Sequence, residues 1–264
     1  KLGLHPGHAL RADDLLRGLL MSSANDAAVA LAERVAGSRQ GFAQDMTQVG
    51  HELGLVDDPV LDDPAGLDDG SAFGRSDLIS AYDLAVVARA ALAVPTIREI
   101  VSRRDPYTFS PTAGGEDHVV RPQNKLLKDP TVIGVKPGYT ARAGETLIAA
   151  ATRSRRTMIT VELGAHPQSM YTTAQALLSK GFDTPVFSEA PLPRLPPVVS
   201  LPASAAATSD TAPPTTAQAL RVPAETGSPA FPFAAVVAAG VALFLVWHLS
   251  GRRRARRRLG RKQI

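Results

Sequence analysis

LLMSSANDAA, residues 19–28, and VIGVKPGYT, residues 132–140, are the two stretches on which the reading of this chain turns. The first joins two helical patterns. Leu15, Leu16, Leu19 and Leu20 recur at helical spacing behind Asp13 and Asp14, whose charge suits the positive end of a helix. Asn25 and Asp26 then stand where a second helix, over 27–35, should be capped. Further helices are predicted at 42–53 and at 81–92, the latter behind a Ser80 cap. The second stretch belongs to a different pattern. After Pro106 the chain alternates in the manner of strands, at 107–110, 118–121, 132–139, 146–152 and 157–163. Turns at 111–115 and 153–156 read as hairpin connections, and a last helix is predicted at 168–182. Helices, then a meandering antiparallel sheet, then a closing helix give an α+β domain over residues 1–183.

Beyond that domain the composition shifts twice. Residues 184–229 are rich in Pro, Ala, Ser and Thr without lasting periodicity, as expected of an extended linker. Residues 230–247 then form an uncharged apolar run, which as a helix reaches about 27 Å, close to the hydrocarbon thickness of a bilayer. We therefore expect one transmembrane helix at 230–250, with Trp247 at an interface. The tail at 251–264 carries seven Arg and one Lys and no acid. Such a run stays on the cytoplasmic side, so the domain should lie outside a cell membrane crossed once. The tail also explains the basic pI of about 9.6. Without its eight bases the chain has 21 Lys and Arg against 25 Asp and Glu. A chain whose net charge outside the tail is −4 offers a poor nucleic-acid surface, so no nucleic-acid partner is expected. The chain has no cysteine, which excludes disulfides and thiol chemistry.

Two short motifs carry the candidate chemistry: Ser23-Ala24-Asn25 at the helix junction and Lys136-Pro137-Gly138 on a strand. Singly, each is as common as a helix cap or a turn. Their flanks are more specific. LGLHPGHALRADDLLRGLLMSSANDAAVALAERVAGS, HELGL, DDPAGLDD, SAYDLAVVARAAL, QNKLL and GVKPGYTARAGETLIAAATR follow in order. Together they resemble the low-molecular-weight D-alanyl-D-alanine carboxypeptidases, penicillin-binding serine peptidases with S-x-x-K, S-x-N and K-T-G elements.

That resemblance implies a β-lactamase/transpeptidase-like fold, with an antiparallel sheet, flanking helices and a site at their junction. It implies removal of the terminal D-alanine from peptidoglycan stem peptides through an acyl-serine, acylation by β-lactams, and no cofactor or metal. Ser23 takes the place of the proton relay, Asn25 of the substrate-holding amide, and Lys136 of the cation that attracts the substrate carboxylate. Pro137, Gly138, Tyr139 and Thr140 occupy the substrate-binding strand, and the Tyr139 N–H matches an oxyanion donor. Two departures stand out. No serine here has a lysine three residues later, and only 22 residues precede Ser23, so we expect a fragment whose nucleophile lies upstream. Pro137 replaces a threonine or serine whose hydroxyl binds carboxylate, and it lacks an N–H. The alternative is a non-catalytic peptidoglycan-binding paralogue. The acidic loop with Asp57, Asp58, Asp62, Asp63, Asp68 and Asp69 reads as Asp-Pro and Asp-Gly turns rather than a calcium site. His5 and His8 lack a third ligand.

Overall fold

The structure is a computed structural model that describes residues 1–68, 76–185 and 194–197. Five helices come first: α1 (Ala12–Ser22), α2 (Asn25–Ala36), α3 (Arg39–Glu52), α4 (Ala81–Leu92) and α5 (Pro95–Ser102). Strands β1 (Tyr107–Phe109) and β2 (His118–Val120) follow, then a single 3-10 turn at Lys125–Lys128. Strands β3 (Val132–Thr140), β4 (Gly144–Arg153) and β5 (Arg156–Ala165) and helix α6 (Met170–Asp183) complete the described order.

The strands do not form one meander. β1 and β2 make a separate antiparallel pair, and β3-β4-β5 make a second antiparallel sheet in sequence order. The eight residues Ser110–Asp117 that join β1 to β2 and the 3-10 turn before β3 keep the two sheets apart. β4 is the central slab of the larger sheet, and its sequence GETLIAAATR shows why. Ile148 and Ala150 face the core formed with α1 to α5, while Leu147, Ala149 and Ala151 face α6. Both faces are buried, and alanine at three successive positions lets helices on either side approach closely. The β4–β5 hairpin closes through Ser154 and Arg155, both at positive φ, as a two-residue turn within the predicted 153–156.

Local chemistry explains most helix limits. Ser80 Oγ accepts the Asp83 N–H at 3.0 Å, as predicted, and Ser38 Oγ accepts the Gly41 N–H at 3.0 Å, which starts α3 earlier than its apolar face suggests. The expected cap of α2 is different. Ala24 occupies the cap position with no side-chain bond, and Asn25 is the first helical residue. Asp26 is occupied elsewhere, accepting the N–H groups of Leu2, Gly3 and Leu4 at 2.9, 2.8 and 3.3 Å. Helix α5, which the sequence reading missed, starts on Pro95 and buries Ile97, Ile100 and Val101.

The acidic loop is built around Asp77. Its fully buried carboxyl group, held neutral by burial up to about pH 7, accepts the N–H groups of Asp62 and Asp63, the latter at 2.9 Å, while Arg39 pairs with Asp63 at 3.1 Å. Arg142, on the β3–β4 turn, donates to Ser76 Oγ at 2.6 Å and so ties this loop to the hairpin that carries Lys136. Among the described residues no group of three or more His, Cys, Asp or Glu is placed to hold a metal ion, and no helix is long and apolar enough to cross a membrane. The expected span at 230–250, the basic tail and nearly all of the expected linker lie outside the described residues.

Candidate active site

Helix α1 ends at Ser23, whose φ of 52° and ψ of 46° are left-handed. The N–H of Ser23 closes onto Leu19 O at 3.0 Å and that of Ala24 onto Gly18 O at 3.2 Å. A left-handed serine costs about 1–2 kcal/mol, so the surroundings must hold it there. They do so through the segment after β2. Ser22 Oγ accepts the Arg121 N–H at 3.0 Å, Gln123 Nε2 donates to Ser22 O at 3.2 Å, and Ser23 Oγ donates to Gln123 Oε1 at 3.0 Å. The serine hydroxyl is thereby aimed away from α1 and toward β3.

Lys136 meets it from the strand. Its Nζ donates to Ser23 Oγ and, at 2.9 Å, to Pro137 O. The residue is only 4% exposed, and burial lowers its pKa to about 7 from the ordinary 10.5. A lysine amine near neutrality beside a serine hydroxyl can take up and return a proton, which is the work a general base does in acyl transfer.

Above this pair opens a cleft of about 360 Å³ lined by Ser22, Ser23, Gln123, Pro137, Gly138 and Tyr139, with further residues from β4 and α6. Tyr139, 53% exposed, stands at its rim. The structure therefore brings Ser23, Lys136, Pro137, Gly138 and Tyr139 together from sequence positions more than a hundred residues apart. Two other candidates stand aside. Asn25 does not line the cleft, and its Oδ1 is buried without a hydrogen-bond partner. Thr140 does not line it either, because its Oγ1 accepts the Ala143 N–H at 3.1 Å and is used to form the β3–β4 turn. Sequence reasoning assigned no role to Gln123, Lys125, Glu145, Met170 or Tyr171, which also line the cleft. QNKLL was one of the family-like runs, but nothing in its residue types marks it as cleft lining.

Comparison with known proteins settles the lineage. The family model described as D-alanyl-D-alanine carboxypeptidase, of the S11 peptidases, matches residues 1–167 of the 264. The chain belongs to this family. D-alanyl-D-alanine carboxypeptidase DacB2 of Mycobacterium tuberculosis is 35% identical over 158 residues, 60% of this chain and 52% of the relative. DacD of Escherichia coli is 38% identical over 165 residues, 61% of this chain and 39% of the relative. The chain thus spans about half of the first of these relatives and about two fifths of the second. Among solved structures, a D-alanyl-D-alanine carboxypeptidase from M. tuberculosis superposes with a TM-score of 0.62 at 31% identity, covering 70% of this chain and 69% of that one. Penicillin-binding protein 6B of E. coli gives 0.55 at 34%, covering 64% and 51%. The α+β transpeptidase-like fold expected from the sequence is the fold of this carboxypeptidase family member.

Proposed function

We propose that this domain holds the D-alanyl-D-alanine end of peptidoglycan stem peptides and supplies the proton-relay half of a serine D-alanyl-D-alanine carboxypeptidase site. The observation that carries the reading is the Lys136–Ser23 contact beneath a cleft walled by β3. In acyl transfer a nucleophilic serine attacks the penultimate D-alanine carbonyl, its O–H proton passes to the departing amine, and D-alanine leaves. Ser23 and Lys136 suit the passage of that proton, and the β3 segment Gly138–Tyr139 suits contact with the peptide backbone. No Ser-x-x-Lys lies within the 264 residues, so this reading assigns the attacking serine to a segment other than this one. β-Lactams would acylate that same serine.

Pro137 favours a second reading, a peptidoglycan-binding module without turnover, because it withholds from the cleft both a hydroxyl and an N–H. We further propose that residues 184–229 tether the domain, that 230–250 span the bacterial cell membrane, and that 251–264 remain in the cytoplasm. Fluorescent penicillin separates the readings. The 264-residue chain should give no label that survives denaturation, and a longer protein with an upstream S-x-x-K should give a stoichiometric band and release D-alanine. A boiling-resistant band on the chain itself would place the nucleophile within residues 1–183 and overturn the assignment of Ser23 as relay. A longer protein that binds stem peptides without label or D-alanine release would establish the binding module.

A further inference from the structure

The cleft contains a charge arrangement different from the one its motifs suggest. Lys136 does not line it: the ammonium lies beneath the floor, directed to Ser23 Oγ and Pro137 O. Thr140 is committed to its turn, and Pro137 offers no donor. Among the described residues that line the cleft, Lys125 is the one cation.

Its placement is built by three elements. The 3-10 turn Lys125–Lys128 begins at Asn124, whose Oδ1 accepts the Leu126 N–H at 3.0 Å and fixes the direction in which the exposed Lys125 leaves the backbone. The buried Leu126 and Leu127 anchor that turn in the core beneath α6. Lys125 Nζ lies 5.4 Å from the centroid of the Tyr171 ring, and the Tyr171 hydroxyl donates to Gln123 O at 3.4 Å. The ring is thus a platform that holds the lysine against the cleft wall. Lys125 has no carboxylate partner among the described residues. Glu145 of β4, paired in register with Tyr139, supplies the one negative charge among the described lining residues. A ligand with an anionic end is repelled from Glu145 and drawn to Lys125, and this fixes its orientation along the cleft.

We infer that Lys125, seated on Tyr171, is the residue that recognises the free carboxylate of a peptide ending in D-alanyl-D-alanine, making it a specificity-determining residue of this cleft. The inference rests on the reading under Proposed function, that the cleft takes such peptides. The burial of Lys136 accords with it, since an amine shielded from the cleft and engaged with Ser23 serves proton transfer better than capture of an anion.

The test is calorimetric titration of the 264-residue chain, held in detergent, with diacetyl-L-lysyl-D-alanyl-D-alanine and with its C-terminal carboxamide. The carboxylate form should bind about tenfold more tightly, the effect of a charge-assisted hydrogen bond partly screened by water. Lys125→Met should bring the two ligands to within about twofold of each other. Lys125→Arg, which keeps the cation, should retain the preference, and circular dichroism should show both variants folded. Binding of both peptides with the tenfold preference intact in Lys125→Met would overturn the role of Lys125 and leave the peptide-binding reading standing. Absence of binding by either ligand to the unaltered chain would overturn that reading and the inference with it.

Discussion

Replacing Asp77 with asparagine removes an ionisable group from a place closed to water, while keeping the oxygen that the Asp62 and Asp63 N–H groups need. Burial, offset in part by those two N–H donors and reinforced by the neighbouring Asp63 and Asp62, pushes the Asp77 carboxyl up to about 7 from its ordinary 3.8. A group whose pKa is raised by folding contributes stability that is complete below about pH 3.8 and is lost as pH rises through about 7. A shift of about three units corresponds to about 4 kcal/mol across that window. Asp77→Asn has no such dependence, and its pH-independent terms, among them an amide nitrogen buried without a partner, cancel when two pH values are compared. The stability of the unaltered chain relative to Asp77→Asn should therefore fall by about 4 kcal/mol between pH 4 and pH 8.5. Urea unfolding of both proteins at both pH values, followed by far-ultraviolet circular dichroism, measures that double difference directly. A change below about 1 kcal/mol would mean that the carboxylate is ionised inside the fold without cost. The account of the loop as hung on a buried neutral acid would then be wrong.

Three further outcomes are expected. Pro137→Thr restores a hydroxyl at the cleft wall and should tighten binding of a D-alanyl-D-alanine peptide about tenfold to a hundredfold, the worth of a charge-assisted hydrogen bond of about 1.5–3 kcal/mol; an unchanged affinity in titration calorimetry would show that the carboxylate does not reach residue 137. Gly134→Ala should destabilise the domain by about 2–4 kcal/mol, since Gly134 has φ +139° and a Cβ there would meet Val101 Cγ2 at 2.9 Å; a variant with the unfolding midpoint of the unaltered chain would refute the close approach of β3 to α5. Protease added outside intact cells should cut within residues 184–229 and release the domain, whereas protection of that stretch with loss of the Arg-rich tail would reverse the proposed topology.

Helices with a cap and an apolar stripe were legible from the residues alone. Ser80 before α4 is the clearest case, because the capping hydroxyl and the buried face lie within one short window. Helix α5 was missed because eight residues make barely two turns, and its Pro95 reads first as a breaker, although proline at a first helical position is a start signal. The separation of β1-β2 from β3-β4-β5 was not legible either, since strand alternation reports which residues face a core and not which strands pair. At the site, Ser23 and Lys136 were found through motifs with a chemical reason for their residue types. Thr140 was drawn in by adjacency along β3, yet its hydroxyl closes a turn. Lys125 and Tyr171 come from a single 3-10 turn and from α6, joined only in space, and no local pattern links them.

The cleft is also a seam. Ser23, at the end of α1, and Tyr171, on α6, come from helices packed on opposite faces of the sheet that supplies Gly138, Tyr139 and Glu145, so three layers meet at it. A peptide lying along this seam would act as a staple among layers that also meet through side-chain packing, the Lys136–Ser23 bridge and the bonds from Arg156 to Gly181 O and Phe182 O. At a hundred times its dissociation constant such a staple adds about 2.7 kcal/mol. For a domain of this size that is a rise of about 5–10 °C in Tm. Heating the protein with a series of wall-peptide fragments would therefore rank them by how fully each one bridges the two sides, without any turnover.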